Sequence, residues 1–266
     1  MRKMKVKNLV LEQGRPKIAV PITGLNHDEI IEQVKEAIEG PCDMLEWRAD
    51  YYFGEMENLR EKIENTQAHM EMIRILDDID YLTDGMPLIF TIRGHGHGGR
   101  VAINRADAYD LDSLAAQSKL VDFVDLELLD DDNTYDEAQV LRQIGEIHGF
   151  GVRVIMSYHD YDGMPSEEQL RNITMLMRSM DADIVKIAGT AGTGEDAVEM
   201  MKAAAALTEG DQDPVIFVAM GEAGRASRVA GGRFGSCIAF ARGRQATAAG
   251  QIDAVTLSQL MDKQYE

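Results

Sequence analysis

Two hydrophobic periods alternate along this chain. Short apolar runs of strand-like residues recur as "KIAVPI" (17–22), "DMLEWRA" (43–49), "PLIFTIR" (87–93), "DFVDLEL" (122–128), "VRVIMSYH" (152–159), "DIVKIA" (183–188), "PVIFVAMG" (214–221) and "SCIAFA" (236–241). Each is followed by a helical pattern such as "HDEIIEQVKEAIEG", which Gly40 closes. A long helical region is expected from about Glu57 to Leu82, and a short helix near Ser227. Eight strand–helix units in one chain of 266 residues predict a (β/α)8 barrel, with a doubly wound open sheet as the alternative. The first segment, "MKVKNLVLEQGRPK", is expected to form a β-hairpin that closes the bottom of the barrel. No Pro- or Ser-rich linker divides residues 1–266, so a single domain is expected.

Strands of a covered parallel sheet should be apolar throughout. Several here are not, and their polar residues fall two apart near the C-terminal ends. Glu46 pairs with Arg48, Thr91 with Arg93, Asp125 with Glu127, Ser157 with His159, and Lys186 shares a face with Ile184 and Ala188. Period two puts each set on one side of its strand. The apolar members would then pack on the helices and the polar ones would point into the barrel. Glu46, Arg48, Arg93, Asp125, Glu127, His159 and Lys186 would gather at the end where barrels of this type keep their sites. Acids and cations roughly balance there, as buried charge requires, so a purely structural ion-pair network is the bland alternative.

Composition narrows the function classes. An apolar fraction of 45% with 27% charged residues describes a globular chain, and no apolar run is long enough to span a bilayer. The basic N-terminus lacks the apolar core of a secretory signal. Two distant cysteines, Cys42 and Cys237, form no disulfide framework and suit a reducing, cytoplasmic setting. A net charge of −19 repels nucleic acid and anionic membranes, so an anionic small molecule would need a local basic pocket.

Lys186 carries the chemical suggestion. A lysine in a partly dry, arginine-flanked pocket has its ammonium form disfavoured by desolvation and by like charge. Its neutral amine would attack a carbonyl to form a Schiff base, and the protonated imine would acidify the neighbouring carbon. His159, one strand away, would carry the proton. The residues alone therefore point to a Schiff-base lyase or aldolase acting on an anionic substrate.

The motifs "PKIAVPITG", "LEWRAD", "PLIFTIR" with a following "GG", "VDFVDLEL", "VIMSYHD", "ADIVKIA", "MGEAGRASRVAGGRFGS" and "AAGQI" run in order from about Val6 to the last helix. In this the chain resembles the type I 3-dehydroquinate dehydratases, Schiff-base enzymes of the shikimate pathway. The resemblance implies a lyase that turns 3-dehydroquinate into 3-dehydroshikimate. Lys186 falls on its imine-forming lysine and His159 on its general base and acid. Glu46, Arg48 and Arg93 fall on residues that hold the ring and its hydroxyls, Arg228 on the arginine that clamps the carboxylate, and Gln251 on the glutamine of a closing loop. It implies no dissociable cofactor and no metal, because the lysine is the electron sink. Members are often homodimers, so a homodimer is a further expectation.

Two positions depart from the family. Thr247 stands where a serine is usual and keeps the hydroxyl. His97, four residues after Arg93, stands where the family usually carries a glutamate that hydrogen-bonds the catalytic histidine. A less basic His159 and a slower proton transfer follow. His95 and His97 invite a metal, but no third ligand is evident nearby. His27, His69 and His148 are expected at the surface, the sixteen methionines in the core, and "GTAGTGED" as a flexible loop. Two other readings stand beside the dehydratase. One is a class I aldolase-type barrel, which would not need Arg228, Thr247 and Gln251. The other is a ligand-binding homologue impaired by His97.

Overall fold

A computed structural model describes residues 1–130, 134–210 and 212–266. Strands β1 (Met4–Val6) and β2 (Leu9–Leu11) form an antiparallel hairpin. Eight parallel strands follow: β3 (Lys17–Ile22), β4 (Met44–Arg48), β5 (Leu88–Thr91), β6 (Phe123–Glu127), β7 (Arg153–Asp160), β8 (Ile184–Thr190), β9 (Val215–Met220) and β10 (Ile238–Phe240). Each strand pairs with the next in sequence, and β10 pairs with β3. The remaining seam, β9 to β10, closes through a bridge between Val215 and Ser236, whose Oγ accepts from the Phe217 amide at 2.9 Å. The sheet is thus a barrel, as the eight strand–helix units predict.

Helices fill the connections: α1 (His27–Ile38), α2 (Ala49–Gly54), α3 (Leu59–Glu64), α4 (Gln67–Thr83), α5 (Arg105–Ser118), α6 (Glu137–Gly149), α7 (Glu167–Ser179), α8 (Gly194–Leu207), α9 (Arg225–Ala230) and α10 (Ala254–Tyr265). Side-chain caps start six of them. Asn26, Asn104, Asp136 and Asp253 each accept a first-turn amide, and Ser166 and Thr193 form reciprocal capping boxes. The expected long helix over 57–82 is two helices. Thr66 adopts a left-handed φ of 64°, and the Asn65 side chain accepts the Gln67 amide and starts α4 afresh. None of the helices among the described residues is long and apolar enough to cross a membrane.

Alternation along the strands sorts two cores. Leu45, Trp47, Phe90, Val124, Leu126, Met156, Val185 and Ile187 pack outward into the layer shared with the helices. Met44, Ile89, Phe123, Ile155, Ile184 and Ile216 fill the lower barrel, and Val6 and Leu11 of the hairpin join them. The hairpin therefore seals the N-terminal end of the barrel by burying its own apolar side chains there. The three imidazoles expected at the surface are partly buried instead. His27, His69 and His148 lie within 2.6–2.7 Å of Asp78, Asp110 and Asp183, each tying together two neighbouring barrel segments.

Candidate active site

Above the apolar plug, the same strand faces turn polar. Glu46, Arg48, Thr91, Arg93, Asp125, Ser157 and Lys186 are all buried. The parallel register sets Ser157 beside Lys186 and His159 one layer higher, beside Ala188. Lys186 Nζ lies 2.7 Å from Asp125 Oδ2, 3.6 Å from Glu46 Oε1 and 4.3 Å from the centre of the Phe240 ring. Arg93 donates to Asp125, Glu127 and Ser157 at 2.9, 2.8 and 2.7 Å. Burial alone would raise the Asp125 carboxyl, but the Arg93 and Lys186 cations hold it well below the usual carboxylate range. The rough balance of acids and cations expected from the sequence is found here as specific pairs. Arg93 is neutralised by its own carboxylates, and Lys186 faces Asp125.

Arg48 is likewise pinned, by two bonds of 2.7 and 2.9 Å to Asp50, a fully buried carboxylate that also accepts the Arg100 amide at 3.0 Å. Glu46 accepts from Thr91 Oγ1 at 3.1 Å. Arg228 is different. It is 4% exposed, and its terminal nitrogens donate only to the carbonyls of Phe240 and Ala249, at 3.4 and 3.0 Å. Its Nε has no partner, and no carboxylate pairs with it among the described residues. Burial pushes its guanidinium down to about 10. A desolvated cation without a counter-charge is a seat for an anion. Thr247 and Gln251 close the other side. Gln251 Oε1 accepts the Thr247 amide at 2.7 Å, and its Nε2 donates to Thr247 Oγ1 at 3.0 Å.

His159 is the last residue but one of β7, and its buried Nδ1 has no partner among the described residues. Burial first, then the Arg93 and Lys186 charges, lower its imidazole well below the ordinary value, so it is neutral near pH 7. His97 does not fill the missing place. Its Nε2 lies 3.1 Å from the carbonyl oxygen of Asp130. That oxygen can only accept, so the nitrogen carries the hydrogen and the ring is tied to the loop after β6.

One space at the barrel mouth is lined by Glu46, Arg48, Arg93, His159, Lys186, Arg228, Thr247 and Gln251. Of the residues expected there from the sequence, His97 stands beside it, and Asp125 and Glu127 lie behind Arg93 and Lys186 and do not line it. Sequence reasoning gave no role to Asp50, Ser157 or Phe240. Their signals were present: Asp50 in "LEWRAD", Ser157 two before His159, and Phe240 on the inward period of its strand. A larger cavity, about 520 Å³, lies outside the barrel between α5 and strands β5 and β6. Ile103, Ala108, Leu126 and Leu129 wall it together with Tyr109 and the carboxylates Asp112, Asp125, Glu127 and Asp130, and neither Lys186 nor His159 lines it.

The type I 3-dehydroquinase family model matches residues 18–266. A 3-dehydroquinate dehydratase of Listeria welshimeri is 32% identical over 262 residues, covering 98% of each chain. One from Klebsiella pneumoniae is 32% identical over 258 residues, 97% of this chain and 96% of that one. Among solved structures, the type I 3-dehydroquinate dehydratase of Clostridium difficile, crystallised with covalently modified comenic acid, superposes with a TM-score of 0.86 at 30% identity over 99% of this chain and 98% of that one. A 3-dehydroquinate dehydratase of Geobacillus kaustophilus gives 0.87 at 27% identity over 98% and 96%. Matched by fold, by sequence and by family model over almost its full length, the chain belongs to the type I 3-dehydroquinase family.

Proposed function

We propose that this protein dehydrates 3-dehydroquinate to 3-dehydroshikimate through a covalent imine on Lys186. The observation that carries the reading is Arg228, a buried cation with no carboxylate partner among the described residues, facing the same space as Lys186 and His159. It supplies the seat for the substrate carboxylate that an aldolase acting on an uncharged carbonyl compound would not need. Substrate held there presents its ketone to the lysine.

Lys186 Nζ first gives up a proton and attacks the C3 carbonyl. One water leaves, and a protonated imine forms. The imine withdraws electrons from the C2–H bond, and neutral His159 takes that proton. The resulting enamine expels the C1 hydroxyl, which leaves as water with the proton His159 returns. Hydrolysis of the imine consumes one water and frees Lys186, so the net change is loss of one water. Asp125 and Glu46 compensate the cationic imine, as they do the ammonium. Arg48 and Arg93, fixed by their own carboxylates, present rigid donors to the ring hydroxyls. Thr247 and Gln251 lie on the loop that closes over the substrate and excludes water. The whole chain acts as one catalytic unit on a small molecule, with no nucleic acid and no membrane partner. A cytoplasmic homodimer fits the two free cysteines and the family.

The test is to add 3-dehydroquinate and follow the near-ultraviolet absorbance of the conjugated product in wild type and Lys186→Ala. Borohydride is then added to trap the imine for mass spectrometry. Product and a trapped adduct in wild type alone are expected. Turnover that survives in Lys186→Ala, or no turnover in wild type, would overturn the reading.

A further inference from the structure

His159 needs its ring held while a proton moves, yet its buried Nδ1 has no hydrogen-bond partner among the described residues and His97 is tied elsewhere. Tyr161 supplies a hold of another kind. It follows His159 by two residues, so the two side chains leave the chain on the same side. Its ring lies nearly parallel to the imidazole, at 15° with centroids 6.2 Å apart. Its hydroxyl donates to the carbonyl oxygen of His97 at 2.9 Å, across the rim of the barrel. The turn is shaped to receive it. Gly98 has a φ of 78°, and a Cβ there would come within 2.1 Å of Tyr161 Oη. Glycine both forms the turn and leaves the room for the phenol.

We propose that Tyr161 is a positioning residue for His159: its hydroxyl latches to the turn after β5 while its ring holds the imidazole over the barrel mouth. The proposal rests on the dehydratase reading for its kinetic consequences. Tyr161 itself is 47% exposed, and its ring lies alongside the imidazole. The charged and titratable groups that act on His159 are Arg93 just after β5, Lys186 from β8, Asp125 from β6 and His97 from the turn. Loss of that ring admits water to the imidazole and moves its titration upward, toward the ordinary value.

The experiment compares wild type, Tyr161→Phe and Tyr161→Leu. Steady-state kcat and KM for 3-dehydroquinate are measured against pH, with nitrogen-15 NMR titration of the His159 ring, borohydride trapping and thermal unfolding. Tyr161→Leu is expected to lower kcat about tenfold, with KM within about twofold and trapping retained. Its acidic limb and the His159 titration both move to higher pH. Tyr161→Phe, which keeps the ring and loses the latch, falls between. Unchanged kcat and unchanged His159 titration in Tyr161→Leu overturn the proposal. So does a lowered kcat that comes with an unmoved limb and a lower Tm, since that describes only a structural role. A wild type that neither turns over nor is trapped defeats the dehydratase reading instead, and the His159 titration alone then decides the role of Tyr161.

Discussion

Lys186 and Asp125 come from strands two apart in the barrel, yet Nζ and Oδ2 meet at 2.7 Å. The other oxygen of the same carboxylate takes Arg93 at 2.9 Å and Ser157 Oγ at 2.6 Å. One carboxylate thus compensates two buried cations. The ammonium that must lose a proton before attack is anchored at the point where the imine will form.

That sharing makes Asp125 a stability residue as well. Asp125→Asn leaves Arg93 and Lys186 with one carboxylate fewer, and is expected to cost about 3 kcal/mol at pH 7 by urea unfolding. The folded Asp125 carboxyl is held below its unfolded value, near 4. Its contribution is therefore present above about pH 4 and lost as pH falls through the folded value. Wild type should lose more stability on acidification than Asp125→Asn. Parallel losses in the two proteins would remove Asp125 from the account.

Arg228 predicts a binding defect. Arg228→Leu deletes the unpaired buried cation, so KM for 3-dehydroquinate should rise about a hundredfold, more than kcat falls. Steady-state kinetics with and without substrate saturation separate the two. A KM that stays put would mean the carboxylate sits elsewhere.

His97 can be returned to the family's usual residue. A carboxylate in His97→Glu would stabilise the protonated His159, raise its titration and fix its ring. Turnover should increase, and the acidic limb of the rate profile should move to higher pH. No gain in rate together with an unmoved limb would show that this site works without the carboxylate.

Asp112 offers a gain in stability. It is 4% exposed on α5, and its Oδ1 has no partner among the described residues. Burial, then the nearby Asp125 and Glu127 charges, raise its carboxyl well above the usual range. Between the unfolded value, near 4, and the folded one, the native state binds more protons than the unfolded. Stability then falls as pH rises through that window. Asp112→Asn should recover about 1 kcal/mol at pH 8 and nothing at pH 3. Equal urea midpoints for the two proteins at pH 8 would contradict this.

Much of this molecule is written in local periodicity. Eight alternating segments dictate eight strand–helix units, because each pattern can bury its apolar side in only one way. Spacing two places Glu46, Arg48, Arg93, Asp125, His159 and Lys186 on the inward face, and "VIMSYHD" and "ADIVKIA" put base and nucleophile on adjacent strands. What periodicity does not carry is which inward charge meets which. Asp125 reaches Lys186 across 61 residues, and Arg93 reaches Ser157 across 64, because barrel register and closure bring those side chains to one level. Local backbone geometry decided the rest. A left-handed Thr66 divides the helix that the pattern would continue. The turn at Gly98 sends the His97 ring to Asp130 and its carbonyl to Tyr161. Among the described residues Arg228 is left without a carboxylate, because the groups it reaches are backbone carbonyls. The sequence by itself determined which side chains enter the barrel. Only the tertiary structure decided which of their charges are paired and which is left for substrate.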